Sequence, residues 1–101
     1  MKYKVEEIYT PKDVANIKHH FEPTNVEFES DSENLFELAI QARTACHPPE
    51  VRDAELISRI HQRLGHDGVR EQLEGQEISC FSFVLFGGHG EWAMTVKAEL
   101  T

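Results

Sequence analysis

The sequence predicts an α+β domain, a small and mostly antiparallel sheet with helices packed on one face. Three observations predict it. Apolar residues recur at helical spacing through the middle of the chain, between cap-forming residues and prolines. The run from Ile78 to Phe86 is apolar on both faces, as strands are when they are covered on both sides. After a glycine-rich turn, Trp92 to Leu100 alternates apolar and polar residues, the pattern of a half-buried strand.

The coarse element order is β-α-β-α-α-α-β-β. Lys2 to Tyr9 is the first predicted strand, with Tyr3, Val5 and Tyr9 on one face. Thr10-Pro11-Lys12-Asp13 has the composition of a helix start, with a threonine cap, proline at the first helical position and an acidic residue in the first turn. It predicts a helix from Pro11 to about Phe21 that buries Val14, Ile17 and Phe21, ended by Pro23. Val26 to Glu29 alternates and predicts a short strand.

Ser30-Asp31-Ser32 is the expected cap of the next helix, Glu33 to Cys46. Its stripe is Leu35, Leu38, Ala39, Ala42 and Ala45, widened by Phe36 and Ile40. His47-Pro48-Pro49 breaks it. A third helix, Glu50 to Leu64, is expected to bury Ala54, Ile57, Ile60 and Leu64, with Gly65 as its left-handed terminator. Asp67 is placed to cap a short helix through Leu73, closed by Gly75. The two-sided apolar strand Ile78–Phe86 is expected either at the centre of its sheet or covered by a partner. Gly87-Gly88-His89-Gly90 then forms a hairpin turn. No lysine–serine or lysine–threonine pair follows it to make a phosphate-binding loop.

A chain of 101 residues predicts one domain spanning 1–101 with one modest core. Hydrophobic residues make up 40% and charged residues 28%, ordinary for a soluble globular protein. No apolar run approaches the roughly 20 residues of a membrane span, and the N-terminus lacks a secretory apolar region. The expected location is the cytoplasm. Two cysteines, Cys46 and Cys80, are expected as reduced, part-buried thiols.

The net charge of −8 comes from 18 acidic against 10 basic side chains, and the basic ones form no stripe. Direct nucleic-acid binding is thereby excluded, because neutralising phosphates requires clustered lysine and arginine. The densest charge feature is Glu27, Glu29, Asp31, Glu33 and Glu37. On a strand, Glu27, Glu29 and Asp31 line one side. Such a row solvates and protects a strand edge, or it presents carboxylates in place of phosphates to the basic groove of a protein partner.

Six histidines form no Cys-x-x-Cys or His-x-x-x-His pattern, so no metal site is expected. Cys46-His47 adjacency is not a nucleophile–base arrangement by itself. Gly65-His66-Asp67-Gly68-Val69-Arg70-Glu71 presents a helix start that suits an anion, with His66 at its rim.

That segment, taken with Ala42-Arg43-Thr44-Ala45-Cys46 upstream, resembles part of the flavin-dependent thymidylate synthase (ThyX) family. In that family an Ala-Arg-x-x-Cys helix precedes a Pro- or acid-rich turn and an amphipathic helix ending in Gly-His. A Ser-x-x-Glu-His segment and a Phe-rich strand follow. Here Ala42 to Cys46, His47-Pro48-Pro49, Asp53 to Leu64, Gly65-His66, Glu71 and Phe81-Ser82-Phe83 match in order, over roughly residues 35 to 86. Gly68 stands for the family's serine and Gln72 for its histidine. The arginine-rich signature that holds flavin and nucleotide phosphates has no counterpart.

The resemblance therefore implies a truncated, ThyX-like fragment without catalytic residues that keeps part of a nucleotide- or flavin-binding framework, with FAD as the cofactor if binding survives. It places His66 and Glu71 at a ligand site, and an arginine such as Arg43 or Arg70 would have to join them in a cleft. The alternative is a small acidic protein that binds a nucleic-acid-handling enzyme through Glu27, Glu29 and Asp31. The two-sided strand further predicts a homo-oligomer.

Overall fold

In a computed structural model, which describes residues 1–11, 24–88 and 90–99, the chain forms a four-stranded antiparallel sheet with three α-helices on one face. The strands are β1 (Lys2–Pro11), β2 (Thr24–Glu29), β3 (Cys80–Phe86) and β4 (Gly90–Ala98), in spatial order β2-β1-β4-β3. The helices are α1 (Leu35–Ala45), α2 (Ala54–His66) and α3 (Val69–Leu73).

Alternation decides which side chains each strand buries. Tyr3 and Val5 of β1, Phe81, Phe83 and Leu85 of β3, and Met94 and Val96 of β4 point to the helices. There they form one core with Leu38, Ala39 and Ala42 of α1, Ile60 and Leu64 of α2, and Val69 and Leu73 of α3. Among the described residues no helix lies on the opposite face. Ile8 and Phe86 stay 41% and 50% exposed there.

Strand β1 is longer than its sequence indicates. Thr10 and Pro11 do not open a helix; they continue β1, and Pro11 lies opposite Gly90. Two features permit this. Among the described residues β2 pairs with β1 only as far as Glu7–Thr24, so the N–H that proline lacks falls on a side where none of them forms a partner strand. A side chain at Gly90 would meet the Thr10 carbonyl oxygen at 2.5 Å, so glycine lets β4 begin this close to β1. The remainder of the expected helix through Phe21 lies outside the described residues, as does His89 of the turn.

The helix boundaries shift for local reasons. Asn34, not the Ser30–Ser32 run, caps α1, its side chain accepting from the Glu37 N–H at 3.0 Å. The serines instead form a relay toward it, Ser30 Oγ accepting from Ser32 N and Ser32 Oγ from Asn34 N. A 3₁₀ turn at Pro49–Val51 delays the next helix until Asp53, whose carboxylate accepts from Leu56 N at 2.8 Å. Ile60 and Leu64 are the buried residues of α2, with Leu56 partly buried beside them, while Ala54 and Ile57 are exposed.

Gly65 lies inside α2, and the left-handed residue is Gly68 at φ 72°. Asp67 makes no cap to α3. Its carboxylate accepts from Arg63 Nε at 2.8 Å and from Phe86 N at 3.2 Å.

Strand β3 is at the margin of the sheet, not its centre. Its outward backbone groups are nevertheless occupied. Gln72 accepts from Val84 N at 2.8 Å and donates to Val84 O at 3.0 Å. Gln76 repeats this at Ser82, at 2.8 and 2.9 Å. Asp67 and Arg63 take the N–H and C=O of Phe86. Since backbone groups alternate sides along a strand, side chains serve every outward position from Ser82 to Phe86. The central position expected for β3 is therefore not found, and its margin is closed by side chains of the same chain.

Candidate functional site

Among the described residues His66, Glu71 and Arg70 share no hydrogen bond, ion pair or ring contact. His66 is exposed at the last position of α2, and Glu71 is exposed on α3. Among the described residues neither side chain makes a hydrogen bond or ion pair. Arg70 is committed to packing, its guanidinium 3.8 Å from the centre of the Phe36 ring, which also meets the His61 ring at 5.3 Å. The helix that follows Gly68 has only five residues and offers little dipole to an anion.

Arg43 lines a different cleft, of about 230 Å³, between α1 and α2, together with His47, Arg59 and Arg63 over an apolar wall of Ile60 and Leu64. Sequence reasoning missed Arg59 and Arg63 here. Their signal is the i, i+4 spacing on α2, which puts both on one helix face. The cations differ in how far they are engaged. Arg43 bonds Glu7 of β1 at 3.1 Å, with both side chains mostly buried. Arg63 holds Asp67. Arg59 is 68% exposed and only 4.0 Å from Glu55, so it is the least committed of the three.

The neighbouring Cys46 and His47 are poorly suited to nucleophilic chemistry. Burial, then the carboxylate of Glu7, pushes the Cys46 thiol up to about 12, and its Sγ donates to the Ala42 carbonyl. Burial, then the charge of Arg43, pushes His47 below its ordinary value and favours the neutral ring.

The carboxylates of the β2 margin are arranged as alternation predicts. Glu27 and Glu29 share the face away from the three helices, while Phe28 stacks on Tyr3 in the opposite direction, with ring centroids 5.2 Å apart. Asp31 lies just beyond the strand, 3.8 Å from the N-terminal ammonium. Lys2 Nζ is 2.9 Å from Glu27, and this hydrogen-bonded lysine holds the Glu27 carboxyl below the usual range.

Among the described residues the outward backbone of this margin has no partner. Met1 and Ser30 exchange both hydrogen bonds at 3.0 Å, so Phe28 and Val26 face β1 and the alternate residues Glu27 and Glu29 face outward. No hydrogen bond among the described residues reaches those outward groups. Beside the margin lies a groove of about 450 Å³ between β2 and α1. Phe28, Ile40 and Ile57 supply its apolar surface, with Glu29, Glu37 and Arg52 also along it. Gln41 lines it too, and its side-chain oxygen is buried without a hydrogen-bond partner. Sequence reasoning assigned Ile57 to the core and did not single out Gln41.

Among the described residues no group of three histidine, cysteine or acidic side chains converges as a metal site. No helix among them is long and apolar enough to cross a membrane. Comparison of this chain with protein-family models, curated proteins and solved structures finds no match in any of the three.

Proposed function

We propose that this protein is a non-catalytic interaction module that engages a basic protein partner through the acidic margin at β2. The observation that carries this is the row of carboxylates, Glu27 and Glu29 on one face with Asp31 continuing it, against which Lys2 is the paired side-chain cation. Within a chain of net charge −8, such a row draws a lysine- and arginine-lined surface and raises its rate of encounter. A groove that ordinarily holds nucleic-acid phosphates has that character, which fits the enzyme-blocking role expected of an acidic mimic.

The test is charge reversal. Immobilised wild-type protein should retain a basic partner at low salt and release it as salt rises. A variant carrying Glu27→Lys, Glu29→Lys and Asp31→Lys should retain none. Equal retention by both proteins would overturn the proposal.

A second reading is favoured by the cleft lined by Arg43, Arg59 and Arg63 beside His47, which gathers three arginines in an otherwise acidic chain. It is the place for a nucleotide phosphate if the ThyX resemblance reflects retained binding, with dUMP or FAD as the ligand. Thermal-shift titration decides it, because a ligand of the folded state raises the melting temperature. The reading expects a shift with dUMP or FAD that Arg59→Ala removes, and no shift with either would end it. Light scattering alongside tests self-association, for which the exposed Ile8 and Phe86 supply apolar surface.

A further inference from the structure

The two margins of the sheet differ in kind. At β3, side chains of the same chain occupy the outward backbone groups of Ser82, Val84 and Phe86. At β2, the outward groups of Glu27 and Glu29 meet no partner among the described residues. A groove with apolar residues lies beside this β2 margin, and Gln41, whose side-chain oxygen is buried with no donor, is among the residues that line it.

We propose that β2 receives an extended, basic peptide segment of the partner protein as an additional strand of the sheet. This rests on β2 being the partner-binding margin and specifies how the partner binds. Strand addition supplies main-chain hydrogen bonds to Glu27 and Glu29, and alternation then sets the sequence of the segment. Side chains on the face away from α1, α2 and α3 lie beside Glu27 and Glu29, where lysine or arginine is complementary. Side chains on the other face reach the groove against Phe28, Ile40 and Ile57, where an aliphatic residue fits. The segment recognised therefore alternates cationic and aliphatic residues. A second copy is disfavoured as occupant, because two β2 strands side by side bring their Glu27 and Glu29 rows together.

The experiment is fluorescence anisotropy with a labelled decapeptide of alternating lysine and valine. Its control has the same sequence, N-methylated on the amides of one strand edge. The wild-type protein should bind the first peptide, and methylation should weaken binding by about tenfold or more, since it removes main-chain donors and keeps the charge. Ile57→Lys, at an exposed helix position that does not endanger folding, should also weaken binding of the unmethylated peptide.

Equal binding of both peptides, lost only on Glu27→Lys with Glu29→Lys, would overturn strand addition and leave an electrostatic margin. No binding of either peptide would overturn strand addition, while the partner-retention experiment would still decide the acidic margin itself. A dimer in which the Glu27 and Glu29 amides are already protected would overturn the proposal in favour of a second copy.

Discussion

Gln72 and Val84 are joined as two residues of adjacent strands would be, although Gln72 contributes only its side chain. The amide oxygen accepts from Val84 N at 2.8 Å and the amide nitrogen donates to Val84 O at 3.0 Å. With Gln76 at Ser82 and Asp67 at Phe86, the segment from Asp67 to Gln76 runs antiparallel to β3 and closes its margin by side chains alone. A primary amide suits this because it carries a donor and an acceptor side by side, as a peptide group does.

Replacing Gln72 with leucine should remove both bonds to Val84, and a third that the amide donates to the Asp67 carbonyl at 3.3 Å, while keeping the volume. The expected cost is about 1–2 kcal/mol, limited because water can reach part of this margin. Urea unfolding measures the loss, and the Val84 amide should exchange faster with solvent. Gln72→Glu should be no better, since it keeps the acceptor but turns a carboxylate oxygen toward the Val84 carbonyl.

The two glycines around the α2–α3 corner should respond oppositely to alanine. Gly65 lies in a helix and a methyl group there meets nothing within 4 Å, so Gly65→Ala should stabilise by up to about 1 kcal/mol. Gly68 holds φ 72°, so Gly68→Ala should destabilise by about 1–2 kcal/mol. Thermal melts of the two variants give the signs directly.

The thiols should separate cleanly by reactivity. Cys80 is exposed and should be modified by a thiol reagent in the folded protein, whereas Cys46, held up to about 12, should react only on unfolding. The same shift has a consequence for stability. The folded-state value lies above the unfolded one, so this contribution is complete below about 9 and declines as pH rises toward about 12. Cys46→Ser should flatten that alkaline decline.

The sequence discloses the fold class and the core because both depend on periodicity. Leu38, Ala39 and Ala42, then Ile60 and Leu64, stand at helical spacing, and Met94 and Val96 alternate with polar neighbours. What periodicity does not carry is choice among equivalents. Ser30, Asp31, Ser32 and Asn34 can all cap a helix, and Gly65 and Gly68 can both end one; tertiary packing selects Asn34 and Gly68. β3 looks central because its apolar faces are visible in the sequence, whereas a margin sealed by Gln72 and Gln76 depends on distances no local pattern encodes. Among the proposed site residues, Glu27 and Glu29 follow from strand alternation. Dispersal of Arg43, Arg70, His66 and Glu71 follows from three-dimensional commitments, Arg43 to Glu7 and Arg70 to Phe36.

The most direct test of a closed β3 margin opposite an open β2 margin is residue-resolved amide hydrogen exchange on the free protein. The structure predicts slow exchange at Ser82, Val84 and Phe86 and fast exchange at Glu27 and Glu29. Slow exchange at Glu27 and Glu29 in the absence of any partner would show that β2 is already occupied and would contradict the account.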